Sequence, residues 1–418
     1  MPHVAVVGAG PSGLFATAEL RRRRPDVPVD VLDRLPTPFG LVRYGVAPDH
    51  HRIKSVTATL AAVFADERVR FLGNVGLGSD VTVAELRRSY DAVVVATGSG
   101  AARDLGIPGE GLPGSITAAD LVAWYNGHPD AVPVLSWPRP ATVAVVGAGN
   151  VALDVARVLL KSGTGLDDTD IPDPVRAGLD AHPVHAVHVV ARRGHHDVRF
   201  SLGELLAFDD LPGVVPVVDP AGLTDDPPPG HAARARHAVF RRWAENSPGP
   251  GDRVLRFHVH RSPVAVLGST RVTGIRLADP TTGTASVLDV DAVVRAIGYR
   301  GTPIPGLPFD PERATVPHES GRVEPGLYVT GWLKRGPSGV IGTNKACAVE
   351  SVGSLLDDLD DLPAAAPSAR KALTAAHEVV DWAGWTRIDR AEIALGRRRG
   401  RARTKITDTA ELLAHARH

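Results

Sequence analysis

The sequence predicts an α/β chain in which one unit, a parallel sheet covered by helices, receives a second unit of the same plan as an insertion. Three observations predict this. The heptapeptide VAVVGAG stands at residues 4–10 and again at 143–149. Each copy is an apolar run that ends in a glycine turn and continues into a helical pattern. A second echo, Asp91-Ala-Val-Val-Val-Ala-Thr-Gly98 and Asp291-Ala-Val-Val-Arg-Ala-Ile-Gly298, falls once between the heptapeptides and once after both. Strands returning to their own sheets would be placed in that way. At 418 residues the chain is long enough for two full hydrophobic cores. This order puts residues 1–103 and 325–418 in the first unit and 104–324 in the second. The crossings are expected near the Gly/Pro-rich stretch Arg103–Gly114 and near Arg322–Pro325.

The first element is a buried strand over His3–Val7, followed by Gly8-Ala9-Gly10-Pro11-Ser12-Gly13 and a helix over Leu14–Arg24. This is the G-x-G-x-x-G pattern in the strand-before, helix-after context that it requires. Gly8 permits the tight turn, Gly10 lets the backbone approach a pyrophosphate, and Gly13 lets the helix lie close to the strand. The helix N-terminus then faces the phosphate charge. A second strand, Val29–Leu32, ends at Asp33, about 20 residues on, where a carboxylate can take the two hydroxyls of a ribose. The unit reads as a Rossmann-like dinucleotide domain, and its acidic ribose position suits FAD.

The second copy gives Gly147-Ala148-Gly149-Asn150-Val151-Ala152, with alanine as the third small residue, and a helix over Val151–Leu160. An irregular insertion is expected over Lys161–Pro183, rich in Asp, Pro and Gly, and then a strand over Ala186–Val190. That strand runs into Ala191-Arg192-Arg193-Gly194. Two guanidinium groups bind a 2′-phosphate with charge-assisted bonds, whereas a carboxylate would repel it. The second unit is therefore expected to hold NADP(H), and the pair of units to form a flavoprotein that takes hydride from NADPH. Later in the chain, Gly326–Trp332 reads as a strand. Gly336-Pro-Ser-Gly339-Val-Ile-Gly-Thr343 reads as the glycine-rich start of a helix through Ala346–Leu356.

Composition excludes several classes. Lys plus Arg equals Asp plus Glu at 47 each, so no global field favours nucleic acid or a membrane surface. No apolar run approaches the length of a membrane span. The first strand begins near residue 3, which points to a cytoplasmic protein. Cys347 is the single cysteine, so the chain can form neither an internal disulfide nor a cluster held by its own thiolates. A disulfide reductase would need a dithiol beside the flavin and is excluded on that ground. The seventeen histidines are scattered, His195-His196 beside the arginine pair is read as lacking carboxylate or cysteine partners, and no metal site is expected.

Several stretches resemble the adrenodoxin-reductase-type, FAD-dependent ferredoxin–NADP+ reductases, including their bacterial members. They are PFGLVRYGVAPDH (38–50), GNVGLG (73–78), WYNGHP (124–129), GAGNVALDVARVLL (147–160), ARRG (191–194) and GWLKRGPSGVI (331–341). The resemblance runs from residue 3 to roughly 356 and more weakly beyond. It implies flavin contacts at Ser12, Asp33, Leu41, Val75, Trp332, Gly339, Val340 and Ile341. It implies NADP contacts at Ala148, Gly149, Asn150, Val151, Arg192, Arg193, Glu204 and Gly339. It also implies an acid/base pair, His50 and Glu204, near the nicotinamide.

The partner implied is an iron–sulfur ferredoxin or a flavodoxin, with a cytochrome P450 as the usual downstream acceptor. Lys334, Arg335 and the basic tail Arg397–Lys405 are the candidate docking cations. The sequence departs from the family in two places. The ribose carboxylate is Asp33 where Glu is usual. The Lys-Glu-Leu-Arg around the NADP-site glutamate reads Gly203-Glu204-Leu205-Leu206. Other NADPH-dependent flavoproteins, a quinone or diaphorase-type reductase or a flavin monooxygenase, share the two-turn plan and form the alternative reading.

Overall fold

The computed structural model of the chain describes residues 2–134, 141–220, 223 and 228–418. It divides into two compact units: Met1–Val46, His50–Ala101 and Tyr299–His418 form the first, and Ala47–Asp49 with Ala102–Gly298 form the second.

The sheet of the first unit runs, edge to edge, Arg322–Glu324, Leu327–Val329, Ala92–Val95, Val4–Val7, Val29–Asp33 and Val69–Gly73. Its neighbours are parallel except for the hairpin at the Arg322–Glu324 edge. The central strands are apolar without interruption because both faces are covered. Val4, Val6, Val31 and Val94 face helices that contribute Leu14, Leu20, Val352, Leu355 and Ile388. Ala5, Val7, Leu32 and Val95 face Leu86 and Tyr90 on the other side.

The sheet of the second unit runs Ser115–Thr117, Ala292–Arg295, Ala141–Val146, Val184–Val190, Arg253–His258 and Val214–Val218, parallel throughout. One face packs Val143 and Val145 against Leu153, Leu159, Phe240 and Trp243. The other packs Ala144, Val146 and Val190 against Val266, Ile275 and Leu277 of a small antiparallel sheet over Ser262–Leu267, Gly274–Ala278 and Ala285–Leu288.

The two echoes turn out to be one device used twice. Ala92 pairs with Val4 in the first sheet, and Ala292 pairs with Val143 in the second. The Asp91 carboxylate accepts the His3 N–H at 2.7 Å, and the Asp291 carboxylate accepts the Thr142 N–H at 2.8 Å. Five residues later the returning strand sets the glycine. A Cβ on Gly8 would stand 2.5 Å from the Ala96 carbonyl oxygen, and one on Gly147 2.2 Å from that of Ala296. Both glycines also hold positive φ, +111° and +153°, where a side chain is strained.

Four expectations are altered by tertiary packing. The second crossing falls at Gly298/Tyr299 rather than after residue 324. Val316, with Ile304 and Leu307 against it, belongs to the first unit's core, and Arg322–Glu324 pairs with Leu327–Val329 as a sheet edge. The expected strand over Gly326–Trp332 is only Leu327–Val329, because Gly331 at φ +72° starts a helical turn, Trp332–Arg335. The stretch over Lys161–Pro183 is not irregular throughout. It contains a helix, Asp173–Ala181, that buries Val175 and Leu179. The end of the basic tail expected to offer docking cations is buried, at Thr404 and Lys405. Among the described residues no helix is long and apolar enough to cross a membrane.

Candidate functional site

The first glycine turn lies at the carboxyl end of Val4–Val7 and opens the helix Pro11–Arg23. A Cβ on Gly13 would stand 1.9 Å from the Gly8 carbonyl oxygen, so only glycine allows the helix this close. At Gly10 the nearest atom to such a Cβ is 3.9 Å away, the Gly40 Cα, which leaves a cradle open to a ligand. Asp33 closes one side of the cradle. Its carboxylate accepts the Ala9 N–H at 2.8 Å and the Leu35 N–H at 3.0 Å. Burial pushes this carboxyl above the usual range, although the two N–H donors act against it.

The other flavin candidates gather on the same turn. The Phe39 N–H bonds the Ala9 carbonyl, which brings Gly40 and the turn Leu41–Tyr44 beside Gly10. Leu41 itself is exposed. Val75 donates its N–H to the Asp33 carbonyl at 2.8 Å, but its side chain is buried in the core. Val75 can therefore offer a ligand only its backbone. Ser12 donates to the Asn344 side-chain oxygen at 2.9 Å. Asn344 in turn receives Arg335 Nη2 at 3.0 Å and bonds the Ile341 carbonyl through its N–H. Gly339, Val340 and Ile341 are thereby fixed next to Ser12, with Val340 72% exposed. Trp332, half-buried, lies at the head of its helical turn with its ring 5.7 Å from that of Tyr299.

The second turn repeats the design with different chemistry. A Cβ on Gly149 would meet nothing within 4 Å. Ala148 accepts the Arg199 N–H at 2.8 Å, and the Asn150 side chain accepts the Ser201 N–H at 2.9 Å. These bonds staple the segment 199–201 to the turn. Val151 is half-buried on the helix Asn150–Lys161. Hydrogen bonding aligns the strand ends: Gly8 N–H bonds the Leu32 carbonyl, and Gly147 N–H bonds that of Val190. Asp33 therefore corresponds to Ala191, which is buried, and the exposed Arg192 and Arg193 follow it.

Glu204 sits in the short helix Leu202–Leu206, whose N-terminus is capped by Ser201. Its carboxylate receives Arg157 Nη1 at 2.9 Å. Arg157 is a hub that the sequence reading missed. It also holds Asp49 through two bonds, at 2.8 and 3.0 Å, and Asp154 at 2.7 Å. Lys161 adds a further bond to Asp49 at 2.8 Å. Burial would raise the Asp49 carboxyl, but Arg157 and Lys161 outweigh it and hold it well below the usual range. His50 precedes the turn His51–Lys54 and belongs to the first unit, whereas Glu204 belongs to the second.

The geometry fits the groups implied. The first turn has an open cradle, a fixed carboxylate, and an arginine, Arg335, whose Nε and Nη1 have no hydrogen-bond partner among the described residues. That is a seat for a dinucleotide with unphosphorylated ribose hydroxyls and an anionic bridge. The second turn has the same cradle and two exposed cations in place of the carboxylate.

Residues 2–198 match the family described as pyridine nucleotide-disulphide oxidoreductase. Over 98% of both chains, the sequence is 41% identical to the NADPH-ferredoxin reductase FprA of Mycobacterium tuberculosis. It is 37% identical to the mitochondrial NADPH:adrenodoxin oxidoreductase of Arabidopsis thaliana, over 99% of this chain and 95% of that one. The solved structure of M. tuberculosis FprA in complex with NADPH superposes over the full length of both chains with a TM-score of 0.95 at 40% identity. The chain belongs to the adrenodoxin-reductase-type ferredoxin–NADP+ reductase family. It is an oxidoreductase of that type with two Rossmann-like domains. The disulfide in the broader family's description has no counterpart here, because Cys347 is the sole cysteine and lies buried, receiving the Gly331 N–H.

Within this reductase family reading, the docking cations need correction. Lys334 is 6% exposed and bonds Glu350 and Ser351. Lys405 is buried and donates to the Arg43 carbonyl. Arg403 pairs with Glu392 and Asp389. Arg335 is half-buried at the first turn. These groups build the first unit rather than a docking face. Arg397, Arg398 and Arg399 remain exposed at the end of the helix Trp382–Arg397. Arg157 and Asn344 were missed, and Lys334 was given the wrong role, for one reason: each works through a partner distant in sequence.

Proposed function

We propose that this reductase takes hydride from NADPH and passes electrons singly, through FAD, to an iron–sulfur ferredoxin or a flavodoxin in the cytoplasm. One observation carries the reading: two glycine turns of the same build end their second strands differently, in Asp33 in one unit and in Ala191-Arg192-Arg193 in the other. FAD, when bound, supplies a group that accepts a hydride and releases one electron at a time.

The residues then divide the work. Gly8, Gly10 and Gly13 admit the pyrophosphate of FAD, Asp33 holds its ribose, and Ser12, Leu41, Val75, Trp332, Gly339, Val340 and Ile341 line the rest. Gly147, Ala148, Gly149, Asn150 and Val151 admit the pyrophosphate of NADPH, and Arg192 and Arg193 take its 2′-phosphate. Glu204, oriented by Arg157, and His50 hold and move the proton at the nicotinamide end. Imidazole is the side-chain type whose two ring nitrogens can both take up and release a proton, which suits it to that task. Arg397, Arg398 and Arg399 offer positive charge to an acidic partner, whose encounter is steered by that field and screened by salt.

The experiment is NADPH-dependent reduction of cytochrome c. The rate is expected to be slow with the reductase alone, to rise many-fold with a cognate ferredoxin, and to fall as ionic strength increases. Turnover of a quinone or a dithiol with no stimulation by any ferredoxin or flavodoxin overturns the reading.

A further inference from the structure

Directly after Arg192 and Arg193 the chain turns at Gly194 into His195 and His196. The fold brings a third imidazole to them, His237 from the helix His231–Trp243. The ligating nitrogens of the three lie within 4.8 Å of one another. His195 Nε2 and His237 Nδ1 are already 2.9 Å apart. The rings are mutual neighbours: His196 stands at 70° to His195 and at 66° to His237, with centroids 3.9 and 5.6 Å away. His195 and His237 are buried and His196 is half-buried, so the cluster has dry walls and one side open to solvent. Phe240 forms part of the wall, edge-on to His195.

We propose that His195, His196 and His237 form a binding site for a divalent first-row transition metal of the zinc class. Three imidazoles with no carboxylate among them suit zinc, cobalt, nickel or copper, and not calcium or magnesium, which demand oxygen donors. Three nitrogens around such an ion, each at about 2.05 Å, stand roughly 3.3 Å apart. The pair at 2.9 Å must open slightly and the third close in, a movement of about an ångström. His196 provides the side from which the ion enters, and water completes the fourth position. The site fastens the turn that follows Arg193 to the helix His231–Trp243, two segments more than thirty residues apart. The sequence shows only a His-His dipeptide; the fold supplies the third ligand.

The test uses the FAD-containing protein freed of metal with a chelator, then titrated with Zn2+ by calorimetry and with Co2+ by visible absorption. The expected result is uptake of one ion per chain, with cobalt bands of a four-coordinate site of three nitrogens and one oxygen. Affinity should fall roughly tenfold or more in His237→Ala and in His196→Ala. His196→Ala, at the half-exposed position, keeps the test valid if the buried variant misfolds, and the flavin spectrum reports integrity. His415→Ala, on the surface of the last helix, should bind as the parent does. Absence of stoichiometric uptake overturns the site. So does uptake that His196→Ala and His237→Ala leave unchanged, or that His415→Ala abolishes.

Discussion

In the strand after each glycine turn, the same register position carries Asp30 in the first unit and His188 in the second, opposite Ala5 and Ala144 respectively. Both side chains sit inside a sheet, yet they solve burial in opposite ways. Asp30 stays ionised. Burial would raise its carboxyl, but His3 and Arg70 outweigh that and bring it down to about 2. Arg70 and Tyr90 donate to it as well. His188 stays neutral. Burial first, then the charges of Arg256 and His185, lower it to about 4. It bonds the similarly half-buried His258 at 2.8 Å instead of an ion. The contrast continues at the strand end, with Asp33 in one unit and Ala191 in the other. The repeated heptapeptide fixes a backbone shape, and the second strand decides which charges that shape carries.

The largest expected effect tests the shape. Gly13→Ala places a methyl group within covalent range of the Gly8 carbonyl, a clash with backbone that cannot swing away. The variant should lose about 3 kcal/mol or more of first-unit stability and purify with little FAD. Flavin absorbance per chain and the thermal midpoint measure this. Normal flavin content at an unchanged midpoint would mean that the helix is not seated against the turn.

Acid should separate the units next. An imidazole whose folded pKa is depressed is protonated first in the unfolded chain. Its contribution is complete above about pH 6.5 and declines until the folded value is reached. For a single site at about 4 this amounts to about 2.5 kcal/mol between pH 6.5 and 4.5. Asp30, also depressed but from a lower starting value, contributes fully above about pH 4 and loses its contribution only toward pH 2. Hydrogen exchange followed from pH 7 to 4.5 should therefore show the second sheet opening while the first holds. The double variant His188→Gln/His258→Gln should flatten that slope. Equal loss in both sheets would break the contrast.

The strand ends give the third test. A charge-assisted bond contributes about 1.5–3 kcal/mol. Arg192→Ala/Arg193→Ala should accordingly raise KM for NADPH about 10- to 100-fold while KM for NADH barely moves. Steady-state kinetics with both nucleotides decide it. A constant NADPH/NADH ratio would remove the basis for assigning the second turn its client.

Much of this was legible because it is local. The glycines, Asp33 and the arginine pair lie within a strand, a turn and a helix of one another, and the physics of a turn acts over that range. The DAVV echo was legible as a repeat, but its purpose was not. That Ala96 and Ala296 force glycine at 8 and 147 emerges only when the strands pair. Arg157 reaches Asp49 across 108 residues, and Lys334 reads as a surface cation until Glu350 and Ser351 close over it. The helix inside 161–183 was hidden by its loop-like composition, although Pro172 followed by an acidic first turn is a start signal. Ion pairs and burial are set by chain segments that no window of sequence contains.

The smallest expected effect returns to the third position of the turn. Where the first unit cannot accept a methyl group, the second already holds one: Ala152 is fully buried in the core, with its N–H bonded to the Gly149 carbonyl. Its helix therefore stands far enough from the turn for that methyl to fill space rather than clash. Ala152→Gly removes a small packing contact and adds backbone freedom in the first helical turn, at a cost of about 1 kcal/mol. The thermal midpoint should drop slightly, and KM for NADPH should stay within about twofold, because the glycine proposed to face the nucleotide is Gly149 and not residue 152. A loss as large as that of Gly13→Ala, or a strongly raised KM, would mean that the third position acts on the nucleotide directly in this unit, and that the two turns differ in more than their spacing.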